Sequence, residues 1–297
     1  MSLLEIRNLK KDYGGFKALK GVNFKVNAGE IVALLGKNGA GKTTLLNSIA
    51  GNVFPTGGDI VYKGDTLLKD NSRLNEFGIL IEPTFIPYMN AYENLDILIK
   101  TLGGKVPKAK IDNLLNAVGL EKKSKEKTKA FSFGMKQRLG LAQALLNNPE
   151  FLILDEPFVG LDPIGKNIFK RILLEKAHDE KVGILFSSHD LEDVEEICDR
   201  VVLIDNGEKK FDGVMEYSKK YVVQCDRALN PGEFEKSGVK VDKNNILIEQ
   251  VEDLKQVLDK LEELSIDVLD LEIERKSLYD LFEEKGYENI DIAYHKN

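Results

Sequence analysis

Gly36, Lys37, Asn38, Gly39, Ala40, Gly41, Lys42 and Thr43 follow a continuous apolar run, Ile31–Leu35, and open a segment with helical spacing over 42–50. The order G-x-x-x-x-G-K-[ST] between a strand and a helix lets backbone N–H groups turn inward and cradle phosphate oxygens. The helix N-terminus adds the positive end of its dipole. Lys42 supplies a cation for the terminal phosphates, Thr43 a hydroxyl ligand for Mg²⁺, and Thr44 completes the phosphate-facing set. A glycine-rich turn with a chance lysine would share the composition but not the flanking strand and helix.

A second apolar run, Phe151–Leu154, leads at once into Asp155 and Glu156. A buried strand thus delivers two carboxylates at its C-terminal end, where parallel sheets bind ligands. Asp155 is placed to hold Mg²⁺ through water, and Glu156 to orient and polarise an attacking water. An acidic helix cap would give the same local string; its company with the 36–43 loop favours chemistry. A third string, Ser132, Phe133, Gly134, Met135, Lys136, Gln137 and Arg138, runs into a helical pattern over 139–146.

With these strings in hand, the chain resembles the nucleotide-binding subunit of an ABC transporter over about residues 1–215. That family's signature, Leu-Ser-Gly-Gly-Gln, corresponds to Phe131, Ser132, Phe133, Gly134 and Met135. Gly160, Leu161, Asp162 and Pro163 resemble its D-loop, and Ser187, Ser188 and His189 its switch histidine. Tyr13 occupies the place of an aromatic that stacks on adenine. The resemblance implies ATP hydrolysis with Mg²⁺, in which Lys42, Glu156 and His189 are catalytic. It also implies that Ser132 and Gly134 serve the nucleotide of a second ATPase subunit, so that two copies sandwich two ATP molecules. A separate integral-membrane permease is the expected partner, with residues 83–89 as its docking surface, and the cytoplasmic face of the membrane the expected location.

The chain departs from the family pattern at two places, the signature and position 82. Phe133 and Met135 replace a glycine and a glutamine of the signature, which removes a polar contact to the sugar. Glu82 stands where the family has glutamine; a carboxylate there can meet Mg²⁺ or its water but adds charge beside a triphosphate. Both departures resemble the exporter branch that includes bacitracin and lantibiotic self-protection pumps. The alternative is a cytosolic, non-transport ATPase of the same superfamily, acting on ribosomes or DNA. The single phosphate loop and the short 44–132 interval argue against it.

The elements that must position these residues follow from periodicity. Residues 22–26 alternate as a half-buried strand, and 60–62 form a short hairpin-like strand. Leu95, Leu98, Ile99 and Leu102 share a helical face, as do Leu114, Leu115 and Val118 in part. The charged run 121–129 reads as a solvated loop or helix end. Strands return at Phe151–Leu154, 182–186 and 201–204, the last of the main sheet, with helices between, which implies a mostly parallel sheet. Beyond residue 217 the pattern changes to short strands at 221–225, 246–249 and 268–273, an amphipathic helix carrying Leu254, Val257, Leu258, Leu261 and Leu264, and a short helix at 277–284.

The expected fold is α/β: a P-loop NTPase (RecA-like) core with an antiparallel β subdomain and a helical subdomain at about 84–146, together spanning 1–216, plus a small C-terminal α+β domain over 217–297. The 297 residues carry 49 acids against 42 bases, a net charge of −7 that argues against a nucleic-acid partner. Cys198 and Cys225 have no metal-ligand spacing. No apolar run approaches the roughly 20 residues that span a bilayer, and the first residues lack a signal-peptide core, so an intracellular chain is expected.

Overall fold

Ile31–Leu35 is buried at every position, and so are Phe151–Leu154 and Gly183–Ser188. Strands apolar on both faces need cover on both sides, and the chain supplies it with helices and a second sheet. The computed structural model describes residues 2–69, 72–101, 107–214, 219–234, 239–248, 251–275 and 278, which fall into two compact units that part between residues 215 and 216.

In chain order the first unit contains β1 (Ser2–Tyr13), β2 (Phe16–Asn27), β3 (Ile31–Leu35), α1 (Lys42–Ile49), β4 (Gly57–Tyr62), β5 (Asp65–Thr66), β6 (Phe77–Leu80), α2 (Ala91–Thr101), α3 (Lys108–Ala117) and α4 (Phe133–Ala144). It continues with β7 (Phe151–Leu154), α5 (Pro163–His178), β8 (Gly183–Ser188), α6 (Leu191–Glu195), β9 (Arg200–Asp205) and β10 (Glu208–Val214). The main sheet has the order β10-β9-β3-β8-β7-β6; its strands run parallel except for β10. An antiparallel sheet, β2-β1-β4-β5, lays Leu4, Ile6, Leu9, Val22, Phe24, Val26 and Ile60 into one core with Leu45, Leu46 and Ile49 of α1 and with β3 and β7. This mixed α/β architecture is the P-loop NTPase fold.

One sequence expectation needs correction. The main sheet does not end at 201–204, because β10 pairs antiparallel with β9 as a further edge strand. No residue of β10 is buried, so hydrophobic periodicity gives it no signal; backbone pairing holds it. The charged run 121–129 folds as two short 3₁₀ turns, Glu121–Lys123 and Thr128–Ala130.

The second unit holds β11 (Lys219–Cys225), α7 (Pro231–Phe234), β12 (Val239–Asp242), β13 (Asn245–Ile248), α8 (Val251–Glu263) and β14 (Val268–Arg275). Its sheet, in the order β12-β13-β11-β14, buries Val223, Cys225, Ile246 and Ile248 with Val257 and Leu261 of α8. The helix expected at 277–284 lies outside the described residues apart from Leu278. Each unit has a core of its own. A chain truncated after residue 215 should therefore stay soluble, melt cooperatively and bind ATP, as calorimetry and nucleotide titration can check. An insoluble truncation would show that the first core needs the rest of the chain.

Candidate active site

Parallel register sets the strand ends side by side: Leu35 pairs with Ser188, and Leu154 with Phe186. The residues at these carboxyl ends therefore meet at one edge. They are the 36–41 loop after β3, Asp155 and Glu156 after β7, and Ser187, Ser188 and His189 at the end of β8.

Gly36 has φ of 151°, and a Cβ there would lie 2.2 Å from the Ile204 carbonyl oxygen, so only glycine can leave β3 this close to β9. Lys37, Asn38 and Gly39 form the open tip of the loop, which closes with the Ala40 N–H donating to the Lys37 carbonyl at 3.1 Å. Gly41 caps α1 in the left-handed conformation; no side chain caps this helix and no acid lies in its first turn. Its first N–H groups and positive dipole end thus remain available to an anion. Thr44, half-buried, gives its carbonyl to Ser48 Oγ.

Lys42 is buried, and its ammonium donates to the carbonyls of Gly36 at 2.6 Å and Lys37 at 3.3 Å. Glu156 Oε1 lies 3.9 Å away. Burial pushes the Lys42 pKa down, opposed first by the Glu156 carboxylate and then by Asp155. Thr43 donates its hydroxyl to Asp155 Oδ2 at 2.8 Å. Two hard oxygen donors beside a phosphate cradle fit Mg²⁺, which commonly takes one or two protein oxygens and completes its shell with substrate phosphates and water.

Glu156 has φ of 47°, an uncommon value for a residue with a side chain. Ser187 holds it there: its Oγ accepts the Glu156 N–H at 2.8 Å and donates to Asp155 Oδ1. The Glu156 carboxylate meets His189 Nδ1 at 2.8 Å. A carboxylate tied to an imidazole beside the loop lysine can orient and polarise a water at a terminal phosphate. Sequence reasoning assigned Ser187 no such role. The available signal was parallel pairing, since Asp155 and Ser187 each directly follow the paired residues Leu154 and Phe186.

The structure therefore brings together Lys42, Thr43, Asp155, Glu156 and His189. The 36–41 loop adjoins them through the Lys42 contacts to Gly36 and Lys37; the candidates outside that loop make no hydrogen bond or ion pair with these five among the described residues. Tyr13 is half exposed at the β1–β2 turn, with the Lys11 ammonium 4.8 Å from its ring. Glu82 is exposed, two residues beyond Leu80, whose carbonyl accepts the Asp155 N–H at 2.8 Å. Among the described residues its carboxylate has no hydrogen-bond or ion-pair partner. Ser132 caps α4, accepting the Met135 N–H at 3.2 Å. Gly134 packs on Gly160, whose carbonyl oxygen a Cβ at 134 would meet at 2.6 Å, and the Phe133 ring also packs against Gly160. Asp162 caps α5 through the Gly165 N–H. Signature and D-loop are thus packed on each other within one protomer.

Comparison with known proteins agrees with this geometry. The ABC transporter family model matches residues 19–159. The chain is 42% identical to the lantibiotic transport ATP-binding protein SrtF of Streptococcus pyogenes over 218 residues, 71% of this chain and 92% of that one. It is 39% identical to the bacitracin transport ATP-binding protein BcrA of Bacillus licheniformis over 227 residues, 74% of each chain. Among solved structures it is similar to the dimeric bacterial ABC transporter cassette MJ0796, with a TM-score of 0.67 and 25% identity over 72% of this chain and 99% of that one.

Proposed function

The chain belongs to the ABC transporter ATP-binding family, and from that premise we propose that its ATPase powers export through a separate integral-membrane permease. The observation that carries this reading is the contact of Glu156 with His189 beside Lys42 and the Thr43–Asp155 pair. The 36–41 loop and the α1 N-terminus bind the phosphates of ATP, Thr43 and Asp155 hold Mg²⁺, and Glu156 orients the attacking water with His189 fixing its carboxylate. Bound Mg²⁺ would neutralise charge developing on the phosphates.

Two copies are proposed to close on two ATP molecules, with Ser132 and Gly134 of each serving the other's nucleotide. The solved cassette MJ0796, described as dimeric, supports that arrangement. Among the described residues no helix is long and apolar enough to cross a membrane, which accords with a permease on another chain. Residues 83–89, where Ile86 and Tyr88 are exposed, are the proposed permease surface at the cytoplasmic face of the membrane. The relatives named for bacitracin and lantibiotic transport favour an antimicrobial peptide, drug or lipid as cargo.

The test is reconstitution in proteoliposomes with the membrane protein encoded beside it. ATP turnover should require Mg²⁺ and rise on addition of bacitracin or a lantibiotic. A chain that copurifies with no membrane protein, and whose turnover responds to ribosomes or DNA, would carry the non-transport reading instead.

A further inference from the structure

The residues flanking His189 are braced in part by side chains of α5 and α6 that lie outside the motifs. Ser188 Oγ accepts the Asp190 N–H at 3.0 Å, and Asp190 Oδ1 caps α6 through the Glu192 N–H at 3.0 Å. The residues on either side of His189 are therefore fixed, while its own ring is 45% exposed and leans on Glu156. What fixes Asp190 and the first turn of α6 is a charged cluster between α5 and α6. Lys166 Nζ lies 2.6 Å from Asp193 Oδ2 and 3.5 Å from Asp190 Oδ2. One turn on, Lys170 Nζ lies 2.8 Å from Asp193 Oδ1 and 2.7 Å from Glu196 Oε2. Asp193 and Lys170 are almost fully buried.

Ionic groups in such a place contribute little net stability compared with apolar side chains of the same size, because each charge loses its hydration. Two lysines directed at both oxygens of one carboxylate do, however, set a rigid geometry. That geometry joins the two loops of the hydrolytic pair. Lys166 sits on the turn capped by Asp162, its N–H donating to the Asp162 carbonyl at 2.9 Å, and reaches the residue after His189. Lys170 lies 5.7 Å from the ring of Phe158, two residues beyond Glu156.

We propose that Lys166 is a positioning residue for ATP hydrolysis: by bracing Asp190 and Asp193 it holds His189 in register with Glu156. The proposal rests on the reading of Glu156 and His189 as the hydrolytic pair. Lys166 touches no reacting atom, so its loss should leave nucleotide binding intact and act on turnover.

The test is a double-mutant cycle in the full chain. Lys166→Met is expected to lower kcat by about ten- to a hundredfold, the cost of an ångström-scale misplacement, with ATP affinity unchanged. Lys166→Arg should restore most of the turnover. In a His189→Ala background Lys166→Met should have no further effect, because the group it positions is gone. An equal further loss in that background would overturn the proposal and leave Lys166 as a structural ion pair, as would wild-type turnover in Lys166→Met alone. Wild-type turnover in His189→Ala would overturn the hydrolytic pair itself, and the role of Lys166 with it. Should Lys166→Met fail to fold, Asp190→Asn carries the same cycle, since asparagine keeps the cap and the size but loses the charge that faces Lys166.

Discussion

Glu156→Gln is expected to bind ATP with near-normal affinity and to hydrolyse it about 10²–10⁴ times more slowly, the usual worth of a positioned base. The amide keeps the size of the side chain and can still hydrogen-bond His189 Nδ1, so the loop geometry set by Ser187 survives. What is lost is the negative charge that polarises water. Removing a carboxylate 3.9 Å from Lys42 also removes a competitor for that ammonium, so the phosphates lose nothing on binding. With hydrolysis slowed and binding kept, the ATP-bound pair of subunits should accumulate and elute as a dimer in size-exclusion chromatography. A variant that turns over ATP at the wild-type rate would remove Glu156 from the chemistry. An inactive variant that stays monomeric with ATP would leave the base in place and count against the sandwich.

The chemistry was more legible in the sequence than the framework that aims it. The 36–43 loop and the acids after Phe151–Leu154 are contiguous strings whose flanking elements have strong periodicity, and these strands occur where the sequence places them. β1 was harder to read. Its buried residues Leu3, Leu4, Ile6 and Leu9 follow neither a period of two nor of 3.6. The structure gives the reason: register shifts lie between Ser2 and Leu4 and between Ile6 and Leu9 in its pairing with β2, and each moves the inward face along the strand. α7 and β12 are each four residues long, below the length at which a period declares itself. The braces at Ser187, Lys166 and Asp193 were hidden for another reason. A serine or lysine becomes a positioning group only through a partner about thirty residues away, and that distance closes through parallel strand register and helix packing.

Lys42→Ala should abolish ATP turnover and weaken ATP binding. A hydrogen bond from a charged donor contributes about 1.5–3 kcal/mol, or roughly 10- to 150-fold in affinity. The structure argues for the upper part of that range. Lys42 is the buried cation of the loop, and the carboxylates of Asp155 and Glu156 face the same edge. Without the ammonium those carboxylates meet the phosphates with less compensation, and repulsion adds to the lost attraction. In the absence of nucleotide the same change leaves the Gly36 carbonyl without its 2.6 Å donor in a buried place, at a cost of about 1–3 kcal/mol. The melting temperature should therefore fall with no ligand present, although alanine suits a helix better than lysine does. Lys42→Arg separates charge from shape: it restores the charge but not the compact fit between two carbonyls, so it should recover part of the affinity and little of the turnover. Calorimetric titration with ATP, with and without Mg²⁺, together with steady-state turnover, reads all of these quantities. Undiminished turnover in Lys42→Ala would show that the loop cradles something other than the phosphates that react.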